Sequence, residues 1–175
     1  MMHNTTSSDD GRARVLRENG DTWGLVLVRQ LRHAPEIVWR AITDPTHLRE
    51  WAPFDADADM GTAGTHVSLS TVGAPQQSTT TVVRADKPRL LIYNWGGNEM
   101  RWELEPTATG TQLTLWTRID HRYIAMGAAG WHLCFDVLGA FLEGTSTGRV
   151  VGRDALASPR WQQLHAEYTR EFSSE

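Results

Sequence analysis

Three short patterns contain residue types that could do chemistry, and the first is a serine motif. Residues 144–148 read Gly-Thr-Ser-Thr-Gly, which satisfies the G-x-S-x-G rule of α/β-hydrolase nucleophiles. That motif needs a strand before the serine and a helix after it. Here the preceding residues have helical spacing, and residues 145–157 have no helical period. We therefore interpret the motif as a loop and predict no nucleophile.

The second pattern is a run of alternating carboxylates, Asp55, Asp57 and Asp59, which imitates the start of a calcium-binding loop. The glycine of such a loop comes one position late, at Gly61, and His66 stands where the bidentate glutamate belongs. On a strand the three carboxylates would share one face. We interpret them as a solvated outer face, with a weak surface cation site as the alternative.

The third pattern pairs His132 with Asp136, four residues apart on a helical stretch, so that their side chains could meet. A carboxylate can orient an imidazole as a general base, and the pair could also supply two metal ligands, although two ligands make no site. We favour a structural or solvent-facing pair. No catalytic residue, metal or cofactor is predicted.

Composition narrows the class of protein. The 17 basic and 21 acidic residues give a formal charge of -4, which lacks the basic excess that nucleic acid or an anionic membrane would require. With 175 residues, of which 40% are hydrophobic, the chain has the size and composition of one globular domain. The polar start predicts neither a signal peptide nor an anchor, and the single cysteine, Cys134, fits a reducing compartment. We expect a cytoplasmic protein.

The elements that must position these residues follow from hydrophobic periodicity. It predicts a strand over 23–31, helices beginning at Pro35 and Pro45, a long helix over about 123–143 and a last helix over 158–172. Between the helices, turn residues separate six strands at 54–60, 65–72, 78–86, 89–96, 99–105 and 111–119. The last helix should dock on its own domain or on a second copy through one apolar face, formed by Trp161, Leu164, Tyr168 and Phe172.

This order, together with particular residues, resembles the START-like SRPBCC superfamily, in its branch related to activators of the Hsp90 ATPase. The resemblance is carried by residues 29–45 (RQLRHAPEIVWRAITDP), 48–51 (LREW), 110–115 (GTQLTL) and the Gly-Trp pair at 130–131. Thr117 departs from it, because many relatives have a histidine there. The implied fold is α+β, a helix-grip (START/Bet v 1-like) fold in which about seven antiparallel strands wrap around the long C-terminal helix. The domain would cover residues 22–144, after a flexible polar leader at 1–21 and before a loop and extra helix at 145–175.

The family typically leaves an apolar pocket between its sheet and its long helix. The resemblance implies that nine residues line it, with Thr117 and His132 as the polar groups: Trp51, Phe54, Met100, Trp102, Leu115, Thr117, Trp131, His132 and Phe135. The alternative is that the eight tryptophans of the chain fill the space themselves.

The leading hypothesis is the binding of a hydrophobic small molecule without catalysis, although a fold alone does not give a function. The first alternative is a polyketide cyclase or aromatase in which His132 moves a proton. The second is an interaction module that stimulates an Hsp90-like ATPase. We expect neither nucleic acid nor a membrane as a partner, and we keep a homodimer as an option.

Overall fold

The structure is a computed structural model that describes residues 11–17, 22–75 and 77–173. This part of the chain contains nine strands and five α-helices. The strands are β1 Arg14–Arg17, β2 Thr22–Leu31, β3 Phe54–Ala56, β4 His66–Thr71, β5 Gln77–Thr81, β6 Arg84–Asp86, β7 Leu90–Trp95, β8 Asn98–Pro106 and β9 Thr111–Asp120. The helices are α1 Pro35–Thr43, α2 Pro45–Leu48, α3 Ile124–Leu142, α4 Gly152–Ala157 and α5 Pro159–Ser173, with a 3₁₀ turn, His121–Tyr123, before α3.

All strand pairs are antiparallel, in a six-stranded sheet of order β1-β2-β9-β8-β7-β6 and a three-stranded sheet of order β3-β4-β5. The predicted strand 78–86 is divided into β5 and β6, and both halves contact β7: the Asn94 N–H donates to Thr80 Oγ1 (3.3 Å) and the Val83 N–H donates to the Ile92 carbonyl (2.9 Å). The helix-grip architecture is thus confirmed, with more strands than the expected seven.

Two predicted boundaries differ from those in the structure: the end of the strand that begins at residue 54, and the extent of the leader. β3 stops at Ala56, short of the predicted residue 60, because the Asp57 carboxylate accepts from the Ser68 N–H and the Asp59 carboxylate accepts from the Gly61 N–H, which turns the chain. The prediction of a flexible leader over 1–21 is wrong for residues 14–17, which form β1 and pair with β2. Residues 1–10 and 18–21 lie outside the described residues.

Helix α3 lies between the sheet and α5. Phe135 and Leu138 are completely buried, and so is Leu164 on the facing side of α5. By length and mean hydropathy (1.4), the stretch His121–Leu142 is apolar enough to cross a membrane. A helix enclosed on two sides needs the same composition. Here it is the core helix of the domain.

The C-terminal segment completes the core. Trp161, Leu164, Tyr168 and Phe172 of α5 are all buried against their own chain, which confirms that the last helix docks on its own domain. We call residues 145–158, between α3 and α5, the connector. The prediction of a loop there is wrong for Gly152–Ala157, which form α4, a helix too short to show an apolar period.

Candidate ligand-binding site

The nine residues expected to line a pocket are all buried, and the rings among them pack against one another. Trp102 is at the centre, with its ring centroid 5.9 Å from that of Trp51, 5.7 Å from Trp131 and 6.1 Å from Phe135. The Trp51 indole donates to the Ala41 carbonyl (2.9 Å), so this ring is also held by a hydrogen bond. These distances are those of packed aromatic pairs. The aromatic rings therefore fill the space between the six-stranded sheet and α3, which we call the grip.

Beside this aromatic cluster lies an apolar pocket of about 410 Å³. Of the nine residues expected, Trp131 alone lines it, and the ligand-contact role of the other eight stays a prediction. Its walls come from α3, the ends of β7 and β9, the segments beside β3 and β4, the connector and α5. The lining residues are Pro53, Gly73, Trp95, Ile119, Met126, Gly127, Gly130, Trp131, Cys134, Val150, Val151, Gly152, Arg153, Ala155, Leu156 and Trp161.

Two glycines of α3 form the floor of the pocket. A Cβ at Gly130 would have one neighbour at the limit of contact, the Trp161 Nε1 atom at 4.0 Å, whereas a Cβ at Gly127 would lie 2.5 Å from Ile119 Cδ1. Glycine inside a helix is less stable than alanine by about 1 kcal/mol. Gly127 therefore permits the close approach of the sheet, and Gly130 leaves the floor open.

The connector closes the pocket on the outer side. Its Arg149 makes two contacts with the Asp55 carboxylate, at 2.7 and 3.3 Å, and approaches the Ala52 carbonyl at 3.4 Å. Gly152 has a positive φ of 61°, and a Cβ there would lie 3.0 Å from the Val72 carbonyl oxygen. The ion pair and this close approach hold the connector on the β3–β4 side.

The pocket wall contains few polar groups. Cys134 is 2% exposed, and burial raises the pKa of its thiol to about 12. The thiol is therefore neutral at physiological pH and a poor nucleophile. Arg153 is the one charged residue of the lining and is exposed. Two lining residues, Met126 and Leu156, are 41% and 50% exposed, so the rim is apolar as well.

His132 does not line the pocket and lies in a buried polar network. The Tyr168 hydroxyl accepts from the Ala13 N–H (2.8 Å), which leaves its own proton to donate to His132 Nδ1 (2.7 Å). Asp136 pairs with Arg29 at 2.9 Å and lies 3.8 Å from His132 Nε2. Burial lowers the pKa of His132 to about 4, so the imidazole is neutral at physiological pH. His132 is thus buried and held by its hydrogen bond to Tyr168, while Asp136 is partly exposed and pairs with Arg29.

The remaining motifs are engaged in local contacts. Ser146 accepts a hydrogen bond from the Gly148 N–H (3.0 Å) within the connector, where no strand precedes it. Asp55 is the partner of Arg149, and Asp57 and Asp59 hold the turn after β3. Within the described ranges, no group of three or more His, Cys, Asp or Glu residues could hold a metal ion.

Residues 32–143 match the family described as activator of Hsp90 ATPase homolog 1-like protein. The chain belongs to this family. The match covers the grip from α1 to the end of α3, the same elements that carry the resemblance to START-like proteins. No curated protein matches the chain.

Solved structures extend the similarity beyond the family match. EF2215 from Enterococcus faecalis, a conserved protein of unknown function, is 16% identical and superposes with a TM-score of 0.71 over 96% of this chain and 94% of its own. CalU16 from Micromonospora echinospora is 19% identical, with a TM-score of 0.67 over 93% and 96%. DynU16, from the dynemicin biosynthetic locus, is 22% identical, with a TM-score of 0.61 over 73% and 49%. At these identities the likeness shows a shared fold.

Sequence reasoning missed most of the residues that line the pocket. The connector has no periodicity, so nothing in its sequence indicates which of its residues face inward. One signal was present, however. Gly127 and Gly130 interrupt a predicted helix three residues apart, although each glycine costs about 1 kcal/mol of helix stability relative to alanine.

Proposed function

We propose that this protein binds a hydrophobic small molecule in the pocket between α3, the connector and α5. The main support for this proposal is the open floor at Gly130, which leaves a pocket volume of about 410 Å³ between apolar walls. That volume lies within the range of about 300–1,000 Å³ of small-molecule sites, which are mostly apolar with few polar groups. The apolar rim at Met126 and Leu156 gives such a ligand a path of entry.

Binding without catalysis fits the pocket better than cyclisation does. The cyclase hypothesis assigns a proton transfer to His132, but this residue is held by Tyr168 and lies outside the pocket lining. Cys134, the thiol in the wall, is neutral. The proposal includes a cytoplasmic location, with which the buried free cysteine agrees. Stimulation of an Hsp90-like ATPase and a homodimer stay predictions.

A titration with N-phenyl-1-naphthylamine, an uncharged fluorescent probe of apolar sites, tests this proposal. Gly130→Leu would place a branched side chain on the pocket floor. Gly139→Leu is the matched control, because it makes the same change in the same helix where a Cβ has no neighbour within 4 Å. We expect the wild type and Gly139→Leu to bind alike and Gly130→Leu to bind about tenfold more weakly or not at all. Equal binding by all three proteins, or no binding by the wild type, would contradict the proposal.

A further inference from the structure

Two indole N–H groups in the pocket wall have no hydrogen-bond partner among the described residues. They belong to Trp131 and Trp161, which are 5% and 8% exposed. The two tryptophans that pack against Trp131 are paired: the indoles of Trp95 and Trp102 donate to a threonine hydroxyl and a tyrosine hydroxyl, each at 3.1 Å. An indole N–H that has no protein acceptor and is not completely buried is available to water or to a ligand that takes its place.

The Trp161 donor is accessible from the pocket. Neither indole nitrogen is completely buried, although the two residues as a whole are more than nine-tenths buried. The Trp161 Nε1 atom lies 4.0 Å from the position that a Cβ of Gly130 would take, so it stands at the open floor. Trp131 follows Gly130 in α3 and lines the same space. A molecule resting on this floor would therefore meet an N–H donor.

The rest of the lining decides which partner suits these donors. No side chain of the lining carries a carboxylate, an amide or a hydroxyl, and Cys134 offers a weak acceptor. Arg153 is exposed, so it offers no buried counter-charge. An anion entering this pocket would lose its hydration without a buried partner, whereas a neutral carbonyl needs only a donor.

Building on the proposed function, we infer that the ligand is an uncharged, mostly apolar molecule with a carbonyl oxygen, of the ketone or quinone class. The Trp161 indole N–H donates to this oxygen, and Trp131 supplies a second donor. An N–H in an apolar wall favours a carbonyl over a methylene at the same position, because the methylene leaves the donor unpaired. The pocket thus distinguishes oxygenated from plain hydrocarbon skeletons.

Equilibrium dialysis with three tricyclic probes of the same skeleton tests this inference: 9-fluorenone, fluorene and fluorene-9-carboxylate. Trp161→Phe keeps an aromatic ring and removes the donor. Trp116→Phe is the matched control, since Trp116 lies on β9 outside the pocket and is 37% exposed. We expect Trp161→Phe to weaken fluorenone binding about threefold to tenfold and to change fluorene binding less than about twofold. The control should leave both unchanged.

The outcomes separate this inference from the proposed function. If none of the probes binds to the wild type, the proposed function fails. If fluorene and fluorenone bind and respond equally to Trp161→Phe, the carbonyl inference is overturned while the binding function stands. Preferred binding of the carboxylate also overturns it and points to Arg153. Should Trp161→Phe fail to show a cooperative thermal transition, Trp131→Phe removes the second donor and is expected to reduce the preference for fluorenone.

Discussion

Replacing Phe135 with alanine tests whether the centre of the grip is packed or open. The side chain is completely buried, and its ring centroid lies 6.4 Å from that of Trp51, 6.1 Å from Trp102 and 6.4 Å from Trp131. It does not line the pocket. If the rings fill the space between sheet and helix, as these distances indicate, truncation leaves a cavity that three large, interlocked rings cannot close.

The expected loss follows from complete burial. Truncating a buried phenylalanine to alanine costs about 3–5 kcal/mol, and the upper part of this range applies where the surroundings relax poorly. We expect a decrease of about 4 kcal/mol in the free energy of unfolding for Phe135→Ala. In a chain of this length each kcal/mol lowers the melting temperature by roughly 2–4 °C, so the shift should be about 8–16 °C.

Urea unfolding followed by circular dichroism measures this change. Phe141→Ala is the matched control: Phe141 is in the same helix but partly exposed, so its truncation should cost less than half as much. A loss below about 2 kcal/mol for Phe135→Ala, at an unchanged m-value, would mean that the ring borders open space. The description of a filled core would then be wrong, and the pocket would extend into the grip.

Three further predictions concern the burial of His132, the ion pair between Asp55 and Arg149, and the glycine at position 127. His132 has a pKa of about 4 in the folded protein against an ordinary 6.5, so the unfolded chain binds more protons between these values. The free energy of unfolding should therefore fall as the pH is lowered from 6.5 to 4, and it should fall less in His132→Gln. Asp55→Asn should weaken the ion pair that holds Arg149, so the rate at which a thiol reagent modifies Cys134 should increase several-fold. A ligand in the pocket should decrease this rate. Gly127→Ala should stabilise the protein less than Gly139→Ala does, because the new Cβ would lie 2.5 Å from Ile119 Cδ1 and the isoleucine side chain would have to shift.

Each of these three predictions has its own contrary result. A pH profile of His132→Gln identical to that of the wild type would show that burial of the imidazole has no energetic effect. Asp86→Asn, which disrupts an exposed ion pair with Arg84 far from the connector, should leave Cys134 reactivity unchanged. Gly139→Ala should stabilise the protein by up to about 1 kcal/mol. If Gly127→Ala has the same effect as Gly139→Ala, then the close contact with β9 is not as described.

Local periodicity was enough to predict much of the fold. Pro35 and Pro45 begin α1 and α2, and the alternation around Trp102 and Leu115 correctly gave the inner face of β8 and β9. The apolar face of α5, including Tyr168, is buried as its spacing predicted. These features depend on residues three, four or two positions apart, and such information is contained in the sequence itself.

The position of the pocket depends on the tertiary structure. Whether a glycine leaves space or permits contact is decided by the group opposite: Gly127 meets Ile119, whereas Gly130 faces the open floor beside Trp161. The same holds for β1, a short segment whose strand conformation depends on pairing with β2. The sequence by itself determined the elements and their buried faces, because these follow from short-range spacing. Only the tertiary structure decided that the aromatic rings close the grip and that the connector encloses a pocket, because both result from contacts between residues far apart in the chain.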